Sequence, residues 1–159
     1  MDVRGAGRAD DSPGEDPRGG HAGPAGPDGS NVPDGPDGGV YEWYTRGLRL
    51  LRSGSAAAAA QLLARAAEAE PSSRSVREAL ARAQYGARRF QEAADNFRCI
   101  VEDDPAEDYA LFGLGLSLSR LGDFEAAVEP LALAVAMRPE NKDYAKALRH
   151  VRATLAARR

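Results

Sequence analysis

Residues 114–139 read LGLSLSRLGDFEAAVEPLALAVAMRP: a Leu114-Gly115 pair, a Gly122-Asp123-Phe124 turn, then Ala127, Leu131, Ala134 and a closing Pro139. Two further prolines, Pro71 and Pro105, precede Pro139 at equal steps along the chain. Each closes a block with a related interior. The block ending at Pro71 carries Trp43, Gly47, Gly54, Ala59, Leu63 and Ala66; the block ending at Pro105 carries Leu80-Ala81, Phe90, Ala93 and Phe97. Cut at the step between prolines, the blocks are 40–73, 74–107 and 108–141. A fixed period of roughly 34 residues marks a chain built from stacked helical units.

Elementary packing explains the shared positions. Small residues at Gly47, Ala81 and Gly115 let a first helix (A) approach a second (B) closely, and Ala59, Ala93 and Ala127 do the same on B. Leu63, Phe97 and Leu131 then fill the space between the pair. Each closing proline lacks an N–H and biases the residue before it away from the helical region, so helix B ends there. Gly54 and Gly122 fall where the chain turns from A to B, with Ser55 and Asp123 placed to cap the next helix.

These residues resemble the tetratricopeptide repeat, whose signature has Trp, Leu-Gly and Tyr in helix A, then an Ala, a large apolar residue, a second Ala and a closing Pro. The resemblance covers residues 40–141. It implies an all-α fold: a right-handed superhelix of three helix-turn-helix repeats. Four positions depart from the pattern: Arg46 stands for the usual Leu, Gln84 for Tyr, Arg88 for the turn Gly and Ile100 for the second Ala. The second block is the most divergent, and a less regular A–B turn is expected at Arg88.

The expected helices run over 40–53, 56–69, from 72–75 to 86, 90–103, 107–120 and 124–138. Residues 141–157 keep a helical period through Tyr144, Leu148, Val151 and Leu155, with Lys142, Lys146, Arg149 and Arg152 on the other side. This reads as the closing helix that a repeat stack needs to cover its last apolar surface. Residues 1–39 are rich in Gly, Pro and Asp and cannot bury enough surface to offset ordering, so a disordered acidic tail is expected before a domain over 40–159.

Composition narrows the function. At 159 residues one domain is expected. The tail holds eight acidic residues and three arginines, a net of −5, and residues 40–159 carry +2. A nearly neutral folded part argues against a broad nucleic-acid surface. No stretch of 18 apolar residues suits a membrane span, and the first residues lack the apolar core of a signal peptide. The expectation is a soluble, cytoplasmic protein. Arginine outnumbers lysine nineteen to two, a usage typical of a high-GC bacterial genome.

The A helices of this family line the concave side of the superhelix, which holds a peptide or a partner helix. Here the first and third A helices carry more apolar residues than one packing stripe needs. Mapped by repeat position, the groove residues are Tyr44, Leu48, Arg52, Arg82, Tyr85, Tyr109, Phe112, Leu116 and Arg120. Aromatic anchors with arginines suit a peptide or helix bearing apolar and acidic groups. The alternative use of the same rows is burial in a homo-dimer. The clamp with which some family members grip acidic chaperone C-termini falls on Tyr44, Leu48, Ala79, Tyr109 and Gly113, and none carries the clamp's residue type.

Catalytic and metal motifs are missing from the sequence. Glu102, Asp103, Asp104, Glu107 and Asp108 cluster without calcium-loop spacing and read as an exposed acidic turn. Cys99 has no nearby His or Cys, and His21 and His150 lie far from it in sequence. There is no phosphate loop, zinc spacing or nucleophile elbow. The expectation is a protein-binding adaptor that is not an enzyme and takes no cofactor or metal.

Overall fold

The computed structural model describes residues 39–159, and the expected tail lies outside them except for Gly39. Among the described residues there are seven helices and no strand: α1 (Val40–Arg52), α2 (Ala56–Ala69), α3 (Arg74–Gly86), α4 (Phe90–Asp103), α5 (Asp108–Arg120), α6 (Phe124–Met137) and α7 (Lys142–Ala157). Val40, Arg74, Asp108 and Lys142, which begin α1, α3, α5 and α7, are spaced as the closing prolines are, so the sequence period is a structural period. Successive helices pack on one another. In addition α1 touches α3, α3 touches α5 and α5 touches α7, whereas α2, α4 and α6 do not meet. The A-type helices are therefore the crowded, inner wall of the stack, and the B helices splay along its outer side.

The small positions act as expected. A Cβ added to Gly47 would stand 2.6 Å from Leu63 Cγ, and one on Gly115 would stand 2.4 Å from Leu131 Cγ. Ala81, the equivalent residue of α3, has no exposed surface. Leu63, Phe97 and Leu131 are buried, and Phe97 also reaches the next repeat, where a Cβ on Gly113 would meet its ring at 2.5 Å. Ile100, the large residue where the pattern has Ala, is also buried.

The turn at Arg88 is as regular as its neighbours, contrary to expectation. Gly54 and Gly122 adopt φ of 86° and 85°, and Arg88 adopts the same left-handed conformation at φ 66°. Arg89 N donates to Gln84 O at 2.8 Å, as Ser55 N does to Leu50 O at 2.8 Å and Asp123 N to Leu118 O at 2.9 Å. Close packing of the helix pair holds the turn, and Arg88 bears a backbone strain that glycine would not. Of the two expected caps, Asp123 Oδ1 accepts from Ala126 N, while Ser55 makes no side-chain cap; α3 is capped by Ser73, whose Oγ accepts from Val76 N.

The unusual Arg46 has a positional reason. On α3, α5 and α7 the equivalent residues Leu80, Leu114 and Leu148 are buried against the preceding helix B. On α1 no described helix precedes, and that side carries Glu42, Arg46 and Arg49, all exposed. Among the described residues the stack thus begins on a charged face.

The acidic turn is only partly the exposed cluster expected. Asp108 is buried, and Tyr144 Oη donates to its Oδ2 at 2.7 Å with Arg138 Nε 3.7 Å from the same oxygen. In the second repeat Arg74 bridges Asp104 at 3.2 Å and Glu107 at 3.0 Å. Among the described residues no group of three His, Cys, Asp or Glu is placed to hold a metal, and no helix is long and apolar enough to cross a membrane.

Candidate partner-binding groove

Three rows cross the inner wall, each generated by the repeat period. The first runs Tyr44, Glu78, Phe112, Lys146; the second Leu48, Arg82, Leu116, His150; the third Arg52, Gly86, Arg120, Thr154. Seven of the nine groove residues named from sequence fall on these rows. Tyr85 and Tyr109 lie on flanking rows, beside the positions of Leu51 and Tyr41. Glu78, Lys146 and His150 are outside the nine, although translating Tyr44 and Leu48 by the period finds all three.

Within the rows the residues divide their allegiance. Tyr44 and Leu48 are half-buried against the core of Ala59, Leu63, Leu80 and Ala83. Tyr109 meets Phe97 edge-on at 6.3 Å and Phe112 at 6.4 Å, and Phe112 lies 4.6 Å from the buried ring of Tyr144. Tyr85 packs edge-on to Phe90 at 5.2 Å, and the Arg120 guanidinium sits 4.9 Å over the other member of that pair, the Phe90 ring. Phe124, one period after Phe90, is covered in the same manner by Arg158 at 4.6 Å. Arg120 therefore ties the third repeat to the second at the A–B turn, and Tyr85 packs within the second. Leu116 and Arg82 are half-buried and Arg52 is exposed.

The charge on the rows is biased. Arg52, Arg82, Arg120 and Lys146 stand against one acid, Glu78, and Arg52 and Arg82 make no ion pair among the described residues. A recess of about 420 Å³ lies elsewhere, between the α5–α6 turn and the end of α7, lined by Gly122, Phe124, Leu155 and Arg158. It is the weaker candidate, because the guanidinium of Arg158 already occupies the Phe124 face.

Helix pairs stacked on one constant period, with an inner wall of part-exposed aromatics and arginines, define a helical-repeat interaction scaffold. The tetratricopeptide repeat family profile matches residues 44–105 and again 78–142. The chain belongs to the tetratricopeptide repeat family. No curated protein sequence matches it. Among solved structures it is similar to MamA AMB-1, at 21% identity over 79% of this chain and 68% of that one, with a TM-score of 0.67. It is also similar to the first tetratricopeptide domain of Spaghetti (RPAP3) bound to the HSP90 peptide SRMEEVD, at 18% identity over 74% and 93% of the two chains, TM-score 0.68. A third similar structure is the second such domain of human RPAP3 in complex with the HSP70 peptide SGPTIEEVD, at 18% identity over 72% and 98%, TM-score 0.65. At these identities the likeness is one of fold.

Proposed function

We propose that this chain is a non-catalytic adaptor that holds a peptide or helix of a partner protein on the inner wall of α1, α3 and α5. The observation that carries the reading is the surplus of part-exposed apolar side chains there, Tyr44, Leu48, Phe112 and Leu116, set beside Arg52 and Arg82, which make no ion pair among the described residues. Apolar anchors supply affinity, and the arginines select carboxylates beside them. The peptide-bound RPAP3 domains support the use of this fold for such a task. Peptides ending as theirs do are not the expected ligands, because the family's chaperone clamp positions are here Tyr44, Leu48, Ala79, Tyr109 and Gly113. The adaptor works in the cytoplasm and needs no cofactor.

The second reading keeps the same residues and gives them to another copy of the chain. The solution mass of residues 40–159, followed by light scattering over a wide concentration range, separates the two. A constant monomer mass supports the adaptor, and the Tyr44→Ala/Phe112→Ala variant then loses partners captured by the parent while staying folded. A mass that rises to a dimer, and falls back in that variant, assigns the rows to self-association.

A further inference from the structure

The near-neutral charge of residues 40–159 conceals a partition. Residues 142–159, which contain α7, hold six Lys and Arg and one acid, a net of +5, whereas residues 40–141 carry −3. Where the cations of α7 lie can be read from the other A helices. The side that each presents to its own helix B consists of Trp43, Gly47 and Leu50 on α1, of Arg77, Ala81 and Gln84 on α3, and of Leu111, Gly115 and Leu118 on α5. The same period places Ala145, Arg149 and Arg152 there on α7. No described helix covers that side. Arg149, Arg152 and the neighbouring Lys142 are exposed and make no ion pair among the described residues.

The second repeat shows how such a polar berth is filled. Arg77 Nη1 donates to Asn96 Oδ1 of α4 at 3.2 Å, Asn96 Nδ2 donates to Gln84 Oε1 at 2.7 Å, and Gln84 Nε2 donates to Glu92 Oε2 at 3.3 Å. A helix carrying amide and carboxylate groups thus lies on an A helix carrying Arg and Gln. On α7 the position of Gln84 is Arg152, and the small residue of the other A helices is Arg149.

We propose that the open side of α7 is a docking surface for an acidic helix of a partner protein. It lies along the same side of α7 as α4 does on α3, held further off because Arg149 stands where α3 has Ala81, and sets its carboxylates against Lys142, Arg149 and Arg152. These three cations span about 15 Å of helix, matching carboxylates on nearly three turns of one partner helix. A long polyanion such as duplex nucleic acid fits less well, because it would also cross the outer faces of α4 and α6, where Asp95, Glu102, Asp103, Glu125 and Glu129 are exposed. A lipid surface fits less well too. The apolar side of α7, with Tyr144, Leu148 and Val151, is buried in the stack and has nothing to insert.

The test uses the full chain and an alanine-based helical peptide of about 20 residues with glutamates along one face, long enough to stay helical. Its glutamine counterpart, a short DNA duplex and phosphatidylserine vesicles are the comparison probes. The glutamate peptide should bind at low salt and weaken as salt is raised. Arg149→Glu/Arg152→Glu should reduce that binding about tenfold or more, and so should the glutamine peptide. Arg149→Gln/Arg152→Gln should show a smaller loss in the same direction, which keeps the test open should charge reversal disturb folding. Lys146 stays intact because it shares a row with Phe112. Phe112 itself lies against Tyr144 of α7, so the inner-wall control is Arg52→Gln/Arg82→Gln, which should bind the peptide as the parent does. Equal binding by parent and both arginine variants overturns the proposal, as does no binding at low salt. Loss of binding in the Arg52/Arg82 variant would move the site to the inner wall, and tighter binding of duplex or vesicles would give α7 to a different polyanion; both overturn it.

Discussion

The second and third repeats share one backbone and differ in almost everything between their helices. Arg77, Gln84, Glu92 and Asn96 form a hydrogen-bonded chain across α3 and α4. The equivalent residues of α5 and α6 are Leu111, Leu118, Ala126 and Pro130, with no polar side chain among them. Pro130 even lacks an N–H inside α6, and the helix still runs on to Met137. The small position, the large apolar residue and the turn are what both repeats keep. Those three set the approach of helix A to helix B, and the remaining interface accepts either a satisfied polar network or an apolar filling.

The largest expected effect strikes what the two repeats share. Phe97→Ala should cost about 3–5 kcal/mol and Leu131→Ala about 2–5 kcal/mol in urea unfolding, because both side chains are closed in on all sides. A repeat that tolerated its substitution would show that its polar or apolar filling, and not the shared residue, holds it together.

Next comes an exchange of what they do not share. Leu118→Gln buries an amide beside Ala126 and Pro130, whose side chains offer no hydrogen bond, and should cost about 2–3 kcal/mol. Gln84→Leu removes one member of a part-exposed network and should cost about 1 kcal/mol. No loss in Gln84→Leu would mean that the second repeat gains nothing from its network.

The smallest effect concerns the turns. Arg88→Gly should raise stability by about 1 kcal/mol, seen as a higher midpoint in thermal unfolding, since glycine adopts the positive φ of 66° without penalty. No gain would mean that the Arg88 side chain compensates its own backbone strain.

The helices were legible in the sequence because their determinants are local and repeated: a proline closing each period, a small residue on A and a large one on B. Every expected helix is present, with ends shifted by a residue or two. What escaped depends on residues distant in the chain. The burial of Asp108 is set by Tyr144, 36 residues away, so the sequence offered only an acidic run. Arg46 reads as a flaw in a repeat until its position on the side of α1 that no described helix covers is known. For the candidate groove the period gives the rows but not what each side chain touches: a surplus aromatic can stay open or fill a gap, and Phe112 against Tyr144 between repeats and Tyr85 against Phe90 within one are gap fillers.

The two ion pairs at the helix starts have opposite polarity. Arg74 begins α3 and faces Asp104 after α4; one period later Asp108 begins α5 and Arg138 follows α6. Repeats that look alike can exchange partners, within one chain during folding or between two chains in a swapped dimer. Here an exchange between these repeats would set Arg74 opposite Arg138 and Asp108 opposite Asp104. The second and third helix pairs thus carry polarity marks that do not fit each other's partners, while the first pair, with Val40 and Glu70 at these positions, carries none.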